Sequence, residues 1–597
     1  MKKKVILIIT AAIMAIWIPP AASVAREDAG MTVESVTIEG NRAFTSDELK
    51  KLMVTRSGGL FGSNRFRRSV FMDDLSNLQT FYRQNGYLEA VISDTTIVEG
   101  EYDENVKLVI RVDEGPVTSV GRITISGNRA FTDSTLLTLF QLEPGEPFRR
   151  RVLQEGMIEI ATYYADRGYL DASVTPETEM ERKANRVFIE LLIDEGRQMT
   201  ISDIQIEGLQ KTRPFVIHRE LTFEEGEVVS HGKLMKSQKQ LYLTGLFQSV
   251  RINPVQREGN TSGERTVLVK VEEEANSMFS VSAGYGSVEK AMGEIEFSFN
   301  NLFGTARKAG INLAADFIER RAEISFSEPR TFSTRFTTDV NLFYSFQDQP
   351  GFDISRYGGI LTVGRKFRES GYVSLRYRHE NQKLKNVETL EKPEETEPDI
   401  RSMTLRYAND TRDNLFNPGG GWYIDLSYEL AGAFLQGTDA FNRAVMNIRW
   451  FMSLTRGTVF ATSMETGWID IFGSSGGVPI NELFYTGGPN SIRGFEYRMV
   501  GPRDAGGNPV GGQFKLIWNM EIRQSIWRWI GVAAFLDVGN VWSRIGDYRL
   551  DGSRYAAGPG IRINTPIGIV RFDAGFNPDP GEWENKVHYY IVMGNAF

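Results

Sequence analysis

Few residues in this 597-residue chain are suited to covalent or metal chemistry. There is no cysteine, which excludes a disulfide framework, a thiolate metal site and a lipid-modified N-terminal cysteine. The four histidines, His218, His231, His379 and His588, share no metal-ligand spacing. The carboxylates are scattered, and neither a nucleotide-binding loop nor a nucleophile–base arrangement is visible. The expectation is a protein that is not an enzyme and needs no cofactor. One stretch stands out: Gly487-Gly488-Pro489-Asn490-Ser491-Ile492-Arg493-Gly494-Phe495. It carries one arginine and one aromatic on a glycine-rich loop. Taken alone it reads as a solvated loop tip, and only its surroundings alter that reading.

Those surroundings begin with the composition. Hydrophobic residues make up 41% and charged residues 24%, which does not suit a helical membrane protein. The 58 glycines and 11% aromatics suit many strands and turns. A net charge of -8 argues against a nucleic-acid partner, because phosphate binding needs a basic face. Lys2-Lys3-Lys4, an apolar run from Val5 to Ile18 and Ser23-Val24-Ala25 form a secretory signal pattern, with cleavage expected after Ala25.

An internal repeat follows. Val33-Glu34-Ser35-Val36-Thr37-Ile38-Glu39-Gly40-Asn41-Arg42-Ala43-Phe44 returns as Val120-Gly121-Arg122-Ile123-Thr124-Ile125-Ser126-Gly127-Asn128-Arg129-Ala130-Phe131, and more loosely at Ile201 to Leu209. Each copy then shows helical spacing: Phe71, Leu75, Leu78 and Tyr82 in the first, Leu153, Met157, Ile160 and Tyr164 in the second. Gly86-Tyr87 and Gly168-Tyr169 end these runs. Alternating strands close the copies, two of them ending Asp113-Glu114-Gly115 and Asp194-Glu195-Gly196. The expected domains are residues 31–116, 117–197 and 198–274, each a small α+β unit. On this reading Gly40, Gly86, Gly127 and Gly168 do no more than make turns and caps.

From Met278 the periodicity changes to two. Trp422, Ile424, Leu426, Tyr428 and Leu430 share one face, opposite Asp425, Ser427 and Glu429. Phe514, Leu516, Trp518, Met520 and Ile522 oppose Lys515, Asn519, Glu521 and Arg523. Aromatic-rich apolar faces set against fully charged ones fit strands with lipid outside and water inside. Sixteen such strands can be counted between residues 278 and 597, an even number. Residues 275–597 are therefore expected to form a 16-stranded antiparallel transmembrane β-barrel. The loop of Arg493 joins strands eleven and twelve on the external side. Asp537 falls on the lumenal parity of strand thirteen, between outward Leu536 and Val538.

The repeats resemble POTRA repeats of outer-membrane assembly proteins, through the Gly-Asn turn, the Gly-Tyr helix end and the Glu-Gly strand end. In the second half, Asn301-Leu302-Phe303-Gly304, Phe326-Ser327-Glu328-Pro329, Asp410-Thr411-Arg412-Asp413, Ser491-Ile492-Arg493-Gly494-Phe495, Phe535-Leu536-Asp537-Val538-Gly539 and Gly558-Pro559-Gly560 resemble the BamA/TamA superfamily. The resemblance covers essentially the whole mature chain, and the three repeats make it most similar to TamA or to a short BamA. It implies that Arg493, with Gly494 and Phe495, folds into the barrel as a latch paired with Asp537. It implies a lateral seam between the first strand, with Phe279, Val281 and Tyr285, and the last, with Gly594 and Phe597. It further implies a factor that inserts and folds barrel proteins, located in the outer membrane with its repeats in the periplasm. The implied partners are unfolded outer-membrane clients, the lipid bilayer and accessory periplasmic or lipoprotein subunits. The alternative is a polypeptide transporter of the two-partner secretion type. Such transporters usually carry two repeats and a plug helix, whereas three repeats and no evident plug helix are read here.

Overall fold

The structure is a computed structural model describing residues 31–57, 65–99, 105–256, 263–368, 370–387, 397–455, 457–473, 477–566, 568–581 and 584–597. The signal pattern lies outside the described residues, as do residues 388–396.

The first repeat comprises strand Thr32–Glu39, helices Ser46–Leu52 and Arg68–Gln84, and strands Val91–Glu99 and Asn105–Asp113. Its first strand pairs in parallel with its third, which the second joins antiparallel. The second repeat copies this plan with Ser119–Ser126, Asp133–Leu137, Arg150–Ala165, Ser173–Glu181 and Arg186–Asp194. The third has strands Thr200–Glu207, Phe247–Val255 and Glu264–Glu273 in the same first–third–second order. The helical spacing is a core stripe: Leu49, Phe71, Leu78 and Tyr82 pack on Leu108 and Ile110 in the first repeat, and Ile160 and Tyr164 on Ile189 and Leu191 in the second.

The repeated Glu-Gly has a physical reason. The Glu114 carboxylate accepts the Arg42 and Ala43 N–H groups at 2.8 and 2.9 Å and the Tyr82 hydroxyl at 3.0 Å. Glu195 does the same with Arg129, Ala130 and Tyr164 at 2.7, 2.8 and 2.8 Å. Each carboxylate clamps the turn after the first strand to the end of the last. Gly86 and Gly168 do more than end helices, contrary to the sequence expectation. The Gly86 carbonyl accepts from Thr118 N–H at 2.8 Å, and that of Gly168 from Met199 N–H at 2.8 Å. A Cβ on Gly168 would lie 2.6 Å from Val228 Cγ1. Both glycines let the backbone of one repeat touch the next.

The barrel is a 16-stranded antiparallel sheet in which each strand neighbours the next in sequence. The strands that matter here are the first (Ser277–Gly286), second (Lys290–Leu302), fourth (Glu319–Glu328), seventh (Gly371–Lys385), tenth (Phe441–Thr455) and eleventh (Thr458–Ile471), followed by strands twelve to sixteen (Phe514–Ser525, Ile530–Trp542, Arg554–Thr565, Gly568–Phe576 and Val587–Met593). Trp518, Ile522 and Leu536 point outward and are exposed, whereas Glu521, Arg523 and Asp537 point inward and are buried. The Asn-Leu-Phe-Gly turn meets the third repeat. Asn301 Nδ2 donates to Thr212 Oγ1 at 2.8 Å, and the Gly304 carbonyl accepts from Arg213 N–H at 2.9 Å. Arg330 grips Glu220 through Nε at 2.8 Å and through Nη2.

The last strand stops at Met593 rather than at the chain end. Gly594 takes φ +95°, a left-handed conformation open to glycine at little cost, and donates its N–H to the Ile569 carbonyl at 2.6 Å. The four terminal residues then turn inward. Asn595 Nδ2 donates to the Phe416 carbonyl at 2.9 Å, and the Phe597 ring lies 6.4 Å from that of Phe451 and 5.5 Å from the Arg523 guanidinium.

Candidate functional site

Residues 472–513 link strands eleven and twelve, and much of this loop lies among lumenal side chains. Its glycines make the fold-back possible. Gly487 and Gly494 take φ of +113° and +92°. A Cβ on Gly494 would stand 2.7 Å from Ala556 Cβ and 3.3 Å from the Gly575 carbonyl carbon, so a side chain there would push the loop off the wall.

The structure brings Arg493, Gly494, Phe495 and Asp537 together. Arg493 is fully buried. Its backbone N–H, Nε and Nη2 donate to the Asp537 carboxylate at 3.0, 2.8 and 2.9 Å. Nη1 donates to Glu521 at 2.7 Å and lies 3.5 Å from Asp573. The guanidinium sits 3.5 Å above the Phe535 ring, two residues before Asp537 on the same lumenal face. A planar fork with five donors suits such an environment, where a lysine would leave acceptors unmet.

Around this core lie groups that were not singled out in the sequence. Glu521 also accepts from Arg523 at 2.9 Å and Arg562 at 3.0 Å. Asp573 accepts from Arg562 at 2.6 Å and Arg571 at 3.3 Å, and Arg571 reaches back to Asn490. Four arginines face three carboxylates. The inward parity of strands twelve, fourteen and fifteen carries these residues, and that alternation was the available signal. Farther along the loop, Glu482 accepts from Arg378 Nη1 at 3.1 Å and Gln382 at 2.9 Å and pairs with Arg443. The loop is thus anchored twice, by an acid on strands seven and ten and by an arginine on strands twelve, thirteen and fifteen.

The seam residues divide. Phe279, Val281 and Tyr285 lie on the first strand and are exposed. Gly594 and Phe597 are not on the last strand: the turn at Gly594 carries Phe597 to Phe451 and Arg523. The sheet runs from strand one to strand sixteen without a ladder joining its two ends among the described residues. A backbone bond from Ser287 N–H to the Ile591 carbonyl at 2.9 Å bridges them.

A tethered arginine loop inside a barrel with an unlaced seam, behind three α+β repeats, has a counterpart among known families. Residues 301–597 match the Omp85 superfamily domain, and residues 31–115, 118–196 and 199–274 match the POTRA family, described as a surface antigen variable number repeat. The chain belongs to the Omp85 superfamily. Among curated relatives of this Omp85 chain is the outer membrane protein assembly factor BamA of Nitratidesulfovibrio vulgaris (strain Hildenborough), 25% identical over 95% of this chain and 73% of that protein. BamA of Neisseria meningitidis serogroup B is also 25% identical, over 95% of this chain and 78% of that protein. The crystal structure of BamA from Haemophilus ducreyi lacking POTRA domains 1–3 superposes with a TM-score of 0.69 at 19% identity. It covers 80% of this chain and 99% of that one, and supports the same Omp85 fold.

Proposed function

We propose that this Omp85 protein is an outer-membrane protein assembly factor, inserting and folding β-barrel clients from the periplasmic side. The chain spans the outer membrane through its barrel and holds its POTRA repeats in the periplasm. The observation that carries the proposal is the gap between the first and last strands. In hydrocarbon an unpaired backbone group costs several kcal/mol, so two nearly unpaired strand edges favour pairing with an incoming client strand. The repeats, with their own open strand edges, would receive clients first. Accessory periplasmic or lipoprotein subunits would dock on the same repeats. The buried loop would hold strands twelve to sixteen as one wall while the edge of strand sixteen receives a client.

Depletion in cells tests the proposal. A general loss of folded outer-membrane barrels is expected. Loss of a single secreted protein, with barrels intact, would instead mean a dedicated transporter.

A further inference from the structure

The network around Arg493 accounts for strands twelve to fifteen but does not itself hold strand sixteen. Among the described residues, the hydrogen-bonded link from that strand to the loop runs through Tyr590. It points inward and is 5% exposed, whereas Tyr589 beside it points outward and is 78% exposed. The Tyr590 hydroxyl accepts from Gly494 N–H at 3.1 Å and donates to the Phe495 carbonyl at 2.6 Å. A phenol has one proton to give, and here it goes to Phe495, while the oxygen accepts from Gly494, so the hydroxyl serves two consecutive backbone groups of the loop. Both groups belong to the segment that Arg493 holds in place.

The position of Tyr590 along the strand matters as much as its bonds. The next residue, Ile591, supplies the carbonyl that meets Ser287 across the seam at 2.9 Å. On its other side strand sixteen is laced to strand fifteen, with Tyr590 opposite Asp573. Among the described residues, strand sixteen is therefore fixed on the seam side by one backbone bond, and one residue away by the loop.

We propose that Tyr590 is the positioning residue that couples the loop to the seam: while Gly494 and Phe495 hold its hydroxyl, the Ile591 carbonyl is held against Ser287, and their release frees the edge of strand sixteen. The inference rests on the assembly reading for its biological use, but the coupling itself is a property of the folded barrel. Arg493 then sets the state of the seam at a distance, through two backbone groups and one phenol.

Spin labels on the outward positions Tyr285 and Tyr589 of the full-length protein in lipid nanodiscs report the seam distance. A second pair, on the loop and the facing wall, reports docking of the loop. Tyr590→Phe keeps the ring and removes only the hydroxyl, and heat-modifiable migration on gels verifies the barrel. The expected result is a roughly tenfold rise in the open-seam population, the scale of losing two buried hydrogen bonds, with the loop still docked. Arg493→Ala should release both loop and seam, and adding Tyr590→Phe to it should change the seam no further. A wild-type seam distribution in folded Tyr590→Phe would overturn the coupling. Additive effects of the two substitutions would overturn it as well. Failure of the depletion experiment would remove the assembly reading while leaving these distances to decide the coupling.

Discussion

Arg493 and Asp537 bind each other, yet they should not be equally costly to remove. Asp537 accepts three bonds from Arg493 and one from Asn519 Nδ2 at 2.8 Å, and among the described residues no other cation lies within hydrogen-bond reach. Arg493→Ala strips it of cationic partners while it stays buried, which costs about 3–5 kcal/mol. That amounts to a shift of roughly a hundredfold or more in the docking equilibrium of the loop. Asp537→Ala leaves Arg493 with Glu521 at 2.7 Å and Asp573 at 3.5 Å, so the charge stays paired. The loss is then nearer that of charged hydrogen bonds, about 1.5–3 kcal/mol. Removing both residues abolishes the stranded carboxylate, so the double variant should be no worse than Arg493→Ala. The assay is cleavage of the loop by external protease, with barrel folding followed by gel mobility. Equal protection of the two single variants, or a double variant that sums their losses, would show that Arg493→Ala does not strand the Asp537 carboxylate.

Glu482→Gln removes the charge that Arg378 and Arg443 share, and should expose the external part of the loop to protease while Arg493 stays docked; a loop that resists cleavage as in wild type counts against the second anchor. Gly168→Ala places a Cβ within 2.6 Å of Val228 at φ +96°, and should loosen the joint between the second and third repeats, seen as faster amide exchange at Met199. In Glu195, burial raises the carboxyl pKa, but the Ala130 N–H, the Tyr164 hydroxyl and the Arg129 N–H outweigh it and hold the group below the ordinary carboxylate range. A depressed folded value means that its stabilisation is present above the unfolded pKa of about 4.5 and is lost as pH falls through the folded one. Amide exchange in the second repeat should therefore accelerate on acidification, and Glu195→Gln should flatten that dependence.

Much of this architecture can be read from periodicity. Alternation along strand twelve fixed which residues face lipid, because a one-residue slip would put Glu521 and Arg523 into hydrocarbon. Arg493 and Asp537 could be paired through the family resemblance and the parity of strand thirteen. The remainder depends on long-range closure. Nothing local says that Glu521 converges with Asp573 and Tyr590, since strand twelve meets the hairpin of strands fifteen and sixteen only once the barrel forms. The end of the chain misled for a local reason. Tyr589, Ile591 and Met593 alternate correctly, and Phe597 keeps their parity, but Gly594 breaks the strand with a positive φ that alternation does not register. The helix-end glycines likewise looked complete in themselves, because the partner each touches lies in the next repeat.

If clients insert at the seam, strands one and sixteen must part. The chain has no cysteine of its own, so engineered cysteines at Ser287 and Ile591 would form the single disulfide. In proteoliposomes supplied with an unfolded barrel client, the oxidised protein should fail to insert it, and reduction should restore insertion. Full insertion by the oxidised, crosslinked protein would show that clients enter without the seam opening.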